Sequence, residues 1–259
     1  MSDVRRVDDI VVLGRSAPEP LDDGRHTVCL GGYSETLGYV RLYPTQRRMD
    51  ALRRWNVVSA PIKPSEDDSR EESYKIAGSQ EDWDILHQKI SKVDRLSKPE
   101  RIELTTRLAG DCTERLKQTV NGDSLGIVKP EILDVSLDSQ EGDTTVQMDF
   151  NENLRKGKND YPHKLYVEYR CQDNCSVSTH HRQHCIEWGL YRYWEKHDDP
   201  EGVIDAFGFN DDSTQIWFFV GNLNNERHAY VIISILRFNE EDLYEAGVTP
   251  AAQTPLEEW

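Results

Sequence analysis

HTVCLGGYSETLGYVRLYP, residues 26–44, contains two extended runs, HTVCLGGY (26–33) and GYVRLYP (38–44), with the turn-forming SETL between them. Upstream, DIVVLGRS (9–16) has the same β-rich character and is joined through APEPLDDG, so the first reading is an antiparallel three-strand meander. Downstream, QRRMDALRRW (46–55) spaces Met49, Leu52 and Trp55 at helical intervals. NVVSAPI and ESYKI then read as two more strands around the acidic loop KPSEDDSREE. The order is three strands, a short helix, two strands.

That order occurs again. EILDVSLDS (131–139), TTVQMDF (144–150) and KLYVEYRC (164–171) read as strands. CIEWGLYRYWEKH reads as a helix with Ile186, Leu190 and Trp194 on one face, and IWFFVGNL and AYVIISILRF as two closing strands. A helix between strands three and four is the layout of the OB-fold, a small Greek-key barrel that binds oligonucleotides or sugars. The expected fold class is therefore mainly β with α: two OB-like Greek-key barrels joined by a helical connector. The expected boundaries are 1–78, 79–123 for the connector, 124–240 for the second barrel and 241–259 for a frayed tail. In the connector, Ser79 and Asp82 suggest a capping box, Trp83, Leu86, Ile90 and Val93 form one helical face, and Pro99 separates a second helix, ERIELTTRLAGDCTERLKQ.

Across 259 residues, 47 acidic side chains outnumber 31 basic ones, a formal net charge of −16. Such a surface disfavours adhesion to anionic membranes or nucleic acid outside a local basic groove, and it also suits solubility in concentrated salt. Mean hydropathy is low, −0.72, yet six Trp, eleven Tyr and six Phe supply bulky core side chains. The N-terminal apolar run is too short for a leader or a spanning helix, which predicts a cytoplasmic protein without a membrane partner. In a reducing compartment five cysteines point to metal or buried thiols rather than disulfides.

Three of those cysteines and three histidines fall within CQDNCSVSTHHRQHC (171–185). Zinc takes four thiolate or imidazole ligands in a tetrahedron, and Cys171 with Cys175 forms a suitable first pair. On a helix starting near residue 180, either His181 with Cys185 or His180 with His184 closes the site, each pair being four apart. Four protein ligands make a closed, structural zinc; catalytic zinc needs an open position and a carboxylate, for which Glu187 is the nearest following acid. Cys29 and Cys112 stand apart and read as core thiols.

Basic residues concentrate between Thr36 and Ala60, where Arg41, Arg47, Arg48, Arg53 and Arg54 face only Asp50. The arginine fork suits phosphate, and the interleaved Tyr39, Tyr43 and Trp55, with Tyr33, suit base stacking. No Gly-rich phosphate loop, G-x-S-x-G elbow or H-E-x-x-H helix occurs.

HTVCLGGYSETLGYVRLYP, RRWNVVSAPIKPSEDDSREESYKI (53–76), SLGIVKPEILDV (124–135), the Cys/His segment running into EWGLYRYW, and FFVGNLNNERHAYVIISIL (218–236) together resemble a prokaryotic group of dual-OB-domain proteins. The resemblance implies two OB-like domains, a Cys/Cys/His cluster in the second, and a loose association with nucleic-acid transactions or mobile-element defence. Similar sequences carry two cysteines about four apart, then a Gly-His pair seven residues before a tryptophan; here His181 is seven before Trp188, but His180 stands where the glycine would. The resemblance thus favours His181, and with it Cys185. The expectation is a non-enzymatic protein that binds single-stranded DNA or RNA and carries structural Zn2+ through Cys171, Cys175, His181 and Cys185. The alternatives are a metal-dependent nuclease using acids such as Asp149, Glu152, Asp205, Asp211 and Asp212, and an adaptor for a protein partner.

Overall fold

Extended backbone dominates the computed structural model, which describes residues 4–20, 25–47, 49–78, 82–110, 112–118, 123–139, 161–171, 175, 180–224 and 226–249. The chain is mainly β, with few helices, and its described residues divide into two units, 4–96 with 161–162, and 97–139 with 163–249. TTVQMDF, Arg48, Asp149, Glu152 and the tail beyond residue 249 lie outside the described residues. Among the described residues no helix is long and apolar enough to cross a membrane.

In the first unit the strands are β1 (Arg5–Arg15), β2 (Glu19–Pro20), β3 (His26–Ser34), β4 (Gly38–Gln46), β5 (Asn56–Pro64), β6 (Ser73–Ile76) and β7 (Ser91–Arg95). Neighbours run β1-β3-β4-β6-β5, and β5 pairs back onto β1, so five strands close a barrel. Within that ring only β4 and β6 run parallel. Alternation turns Val28, Leu30, Val40 and Leu42 inward against Ile10, Val12, Val58 and Ile62, and turns Tyr33, Tyr39, Arg41 and Tyr43 to the other face. Gly32 is required where β1 crosses β3: a Cβ there would lie 2.5 Å from the Val11 carbonyl oxygen.

The predicted helix over 46–55 is reduced to a single 3-10 turn, Asp50–Leu52. Met49, Leu52 and Trp55 are all buried, as their spacing suggests, but Trp55 adopts a positive φ of 70° and donates its backbone N–H to the Val12 carbonyl at 2.8 Å. That bond reverses the chain into β5, and a continuing helix could not make it. The connector also differs from expectation. A 3-10 turn (Trp83–Ile85) leads into one-turn helix α1 (Leu86–Lys89); Leu86 at its start and Ile90 just after it are buried, whereas Val93 sits on β7, which pairs with β5 and leaves it exposed.

The second unit starts with α2 (Lys98–Leu108), where the Ser97 backbone N–H donates to Glu100 at 2.7 Å and Pro99 occupies the first turn instead of separating helices. There follow β8 (Ala109–Gly110), α3 (Thr113–Gln118), β9 (Leu125–Val128), β10 (Pro130–Ser139), β11 (His163–Cys171), β12 (His181–Cys185), α4 (Trp188–Trp194), α5 (Gly202–Ala206), β13 (Thr214–Asn222), β14 (Tyr230–Asn239) and α6 (Glu240–Glu245). The sheet runs β10-β11-β12-β14-β13-β9-β8, with β12 and β14 parallel. Lys129 alone separates β9 from β10, so one nearly continuous run pairs with β13 at one end and β11 at the other. Every residue of β13 is buried; the apolar run IWFFV implies this for its middle, while Thr214, Gln215 and Asn222 are buried polar residues at its ends. Part of the expected frayed tail is folded: α6 packs on α2, with Leu243 buried and Lys98 paired to Asp242 at 3.0 Å.

The helix expected to begin near residue 180 is a strand. His181, Gln183 and Cys185 turn inward, Arg182 and His184 turn outward, and the helix starts only at Trp188. The strand that follows β11 is thus the end of the Cys/His segment itself, His181–Cys185.

Turn geometry in the first unit depends on Asp9, whose carboxylate accepts hydrogen bonds from the Ser34 hydroxyl at 2.7 Å and from the Thr36 backbone N–H at 3.2 Å. Burial opposes its charge, but these bonds outweigh burial and hold the carboxyl below its ordinary 3.8. Asp9→Asn is expected to lower urea stability by about 1 kcal/mol at pH 7. Because the folded pKa is depressed, wild type keeps its advantage above the unfolded value and loses it as pH falls through the folded one. Urea titrations of both proteins at pH 7 and pH 3 check this; an unchanged difference at pH 3 counts against it.

Candidate metal centre

Strand pairing brings the first ligands together. β11 and β12 are antiparallel with Tyr169 opposite His181, so inward-facing Cys171 and His181 lie at the same end of the hairpin. Cys171 ends β11, His181 begins β12, and Cys175 lies in the connection between them. The Cys171 and Cys175 sulfurs stand 3.3 Å and 3.2 Å from His181 Nε2.

The fourth group is Cys112, immediately before α3. Its Sγ is 3.2 Å from Cys175 Sγ and 3.8 Å from His181 Nε2. All four ligand atoms of Cys112, Cys171, Cys175 and His181 lie within 4.8 Å of one another. Tetrahedral zinc with ordinary Zn–S and Zn–N bonds requires ligand separations of about 3.5–3.8 Å, close to these values. This Cys3His cluster is therefore suited to holding a metal ion.

Cys185 is not part of it. On a strand, four residues carry it about 13 Å from His181, and it stands opposite Leu165 at the far end of the pairing. It is buried completely, and burial pushes its thiol well up. The alternative pair also falls away from the cluster: His180 faces Glu168 at 3.2 Å, and outward-facing His184 meets the Tyr191 hydroxyl at 3.3 Å. Glu187, the acid nearest in sequence, instead accepts the Ile235 backbone N–H at 2.5 Å in the β14 ladder.

Neighbouring groups favour metal-ready states. His181 is buried against the Tyr169 ring, with centroids 5.1 Å apart, and burial lowers its pKa, which keeps the imidazole neutral. Thr113 Oγ1 lies 3.5 Å from Nδ1, on the side away from the sulfurs. The Glu114 backbone N–H donates to Cys112 Sγ at 3.3 Å and orients that sulfur. Cys171, by contrast, has its thiol pushed up by burial and by Cys112 and Cys175, a cost that a bound cation relieves.

The arginine-rich segment is placed less uniformly than its sequence suggests. Arg41 and Trp55 are buried, which removes both from a ligand-facing surface; Arg41 Nη1 lies 3.7 Å from Cys29 Sγ. Arg53 is exposed and pairs with Asp50 at 2.7 Å, while Arg47 and Arg54 are half-buried. Tyr39 meets Tyr33 edge-on with centroids 5.7 Å apart. Tyr43 remains exposed, and partial burial with nearby Glu19 and Cys29 raises its pKa to about 12. In the SEDDSREE loop, Asp67 and Asp68 engage Lys75 and Arg70. Two of the nuclease acids within the described residues serve turns: Asp211 accepts from Ser213 and Thr214, and Asp205 from Asn210.

A family profile described as a domain of unknown function (DUF8758) matches residues 6–107, the first unit and most of α2. No curated protein matches the chain.

Cys112→Ser is expected to reduce bound metal from about one equivalent per chain to near zero, because a tetrahedral structural site needs its fourth ligand. Cys185→Ala should retain about one equivalent. Elemental analysis of both purified variants decides between them, and loss of metal from Cys185→Ala alone would restore the ligand set expected from sequence.

Proposed function

We propose that this chain is a non-enzymatic double OB-fold protein that binds single-stranded nucleic acid through its first unit and carries a structural zinc in its second. Numbering only the barrel strands, β1, β3, β4, β5 and β6 follow the ring order 1-2-3-5-4, closed onto 1, with strands 3 and 5 parallel. The second unit supports the same reading: β10, β11, β12, β13 and β14 run 1-2-3-5-4, and the β9–β10 run touches both ends of that order. That order is the one expected of a Greek-key OB barrel, and it supports this reading.

The observation that carries the ligand assignment is the outer face of β3 and β4. Tyr33, Tyr39 and Tyr43 stand there, on the two strands that OB barrels use for oligonucleotides, and Arg47, Arg53 and Arg54 follow in the connection to β5. Tyrosine faces accept bases of any sequence, and the arginines suit the phosphates between them. The Arg53–Asp50 pair is highly exposed, so it contributes little and yields readily to a phosphate. In the second unit, four sulfur and nitrogen ligands from the protein leave no position for substrate, which suits zinc in a structural role.

Binding of a fluorescent oligothymidylate, followed by anisotropy across a salt series, tests the assignment. Arg47, Arg53 and Arg54 changed together to alanine should flatten the log K against log salt slope by about 2, since each single-strand phosphate contact contributes about 0.7. Tyr33→Ala with Tyr39→Ala should weaken binding about tenfold or more, as stacking contributes about 1–3 kcal/mol per base. Wild-type slope and affinity in both variants would remove this face as the binding site.

A further inference from the structure

The three thiols of the cluster are not equivalent. Cys112 is 2% exposed and Cys171 8%, whereas Cys175 is partly exposed in the connection between β11 and β12. Cys112 and Cys175 have their sulfurs 3.2 Å apart, in contact but unbonded. Hydroperoxides attack accessible thiolates, and a sulfenic acid formed beside a second thiolate condenses to a disulfide.

We propose that the metal centre is an oxidative modification site for hydroperoxides, in which Cys175 reacts first and Cys112 resolves it. This rests on the zinc reading above. The Cys175 thiolate attacks one peroxide oxygen; the O–O bond breaks, leaving Cys175 sulfenic acid and hydroxide. The Cys112 thiolate then attacks the Cys175 sulfur, forming the S–S bond and expelling a second hydroxide. Two electrons pass from the two sulfurs to the peroxide, and the two hydroxides are neutralised by the acid form of the buffer. Cys171 and His181 remain, and two ligands do not retain a tetrahedral zinc.

Oxidation therefore exchanges one cross-link for another. The start of α3 stays tied to Cys175, now covalently, while His181 at the head of β12 loses its tether. A thiol reductant and zinc reverse the change.

Zinc-loaded full-length protein, with metal content measured beforehand, is treated with hydrogen peroxide. Released zinc is read with a chromophoric chelator, and disulfides are mapped by peptide mass spectrometry after thiol alkylation. The expected result is release of about one zinc per chain, a Cys112–Cys175 disulfide, and recovery with dithiothreitol and zinc. Zinc retained while control thiols oxidise, or a disulfide that includes Cys171, overturns the proposal and leaves the metal reading intact. Purified protein that takes up no metal overturns both.

Discussion

The pairing of Tyr169 with His181 governs the second unit. Strand side chains alternate, so a slip of one residue between β11 and β12 would turn His181, Gln183 and Cys185 outward and send Arg182 and His184 into the interior. Burying an arginine without a partner is costly, and the buried residues of β11, Leu165, Val167 and Tyr169, would lose the surface they pack on. The same register aligns Cys171 with the imidazole. Packing and ligand geometry are thus two results of one hydrogen-bonded ladder.

The two units build their β cores differently. The first closes its ring by pairing β5 with β1 and fills it with aliphatic side chains, assisted by Met49 and Leu52 from the segment between β4 and β5. The second places cysteine and histidine at one end of the β11–β12 hairpin. Sulfur and imidazole ligands are polar and expensive to bury alone, and a cation removes that penalty while joining three separated segments.

The hairpin at residues 26–44 was legible because two β-rich runs flank an unmistakable turn, and the outline of three strands, a helical element and two strands follows from similar signals. Other parts were obscured for identifiable reasons. Met49, Leu52 and Trp55 have helical spacing and are buried, but a long-range bond from Trp55 to Val12 decides the backbone. HRQHC alternates as a strand, yet its inward residues are His, Gln and Cys, so no hydrophobic contrast marks the period. The i, i+4 relation of His181 to Cys185 fits one helix face and one strand face equally in sequence; only the strand separates them. Cys112 is recruited from 63 residues before Cys175, beyond the reach of any local spacing rule. Its place just before TERLKQ was the available hint, since a thiol at a helix start can accept backbone N–H groups.

Cys112 and His181 are separated by 69 residues. During synthesis at about 5–20 residues per second, Cys112 therefore exists for several seconds before its imidazole partner has been made. A metal ion at the cluster would gain its imidazole ligand only after β12 has emerged, so binding would follow completion of the β11–β12 hairpin rather than nucleate the unit from its N-terminal side. In that interval the Cys112 thiol at the start of α3 is without its imidazole neighbour, and the order of translation makes it the first of the four groups to emerge.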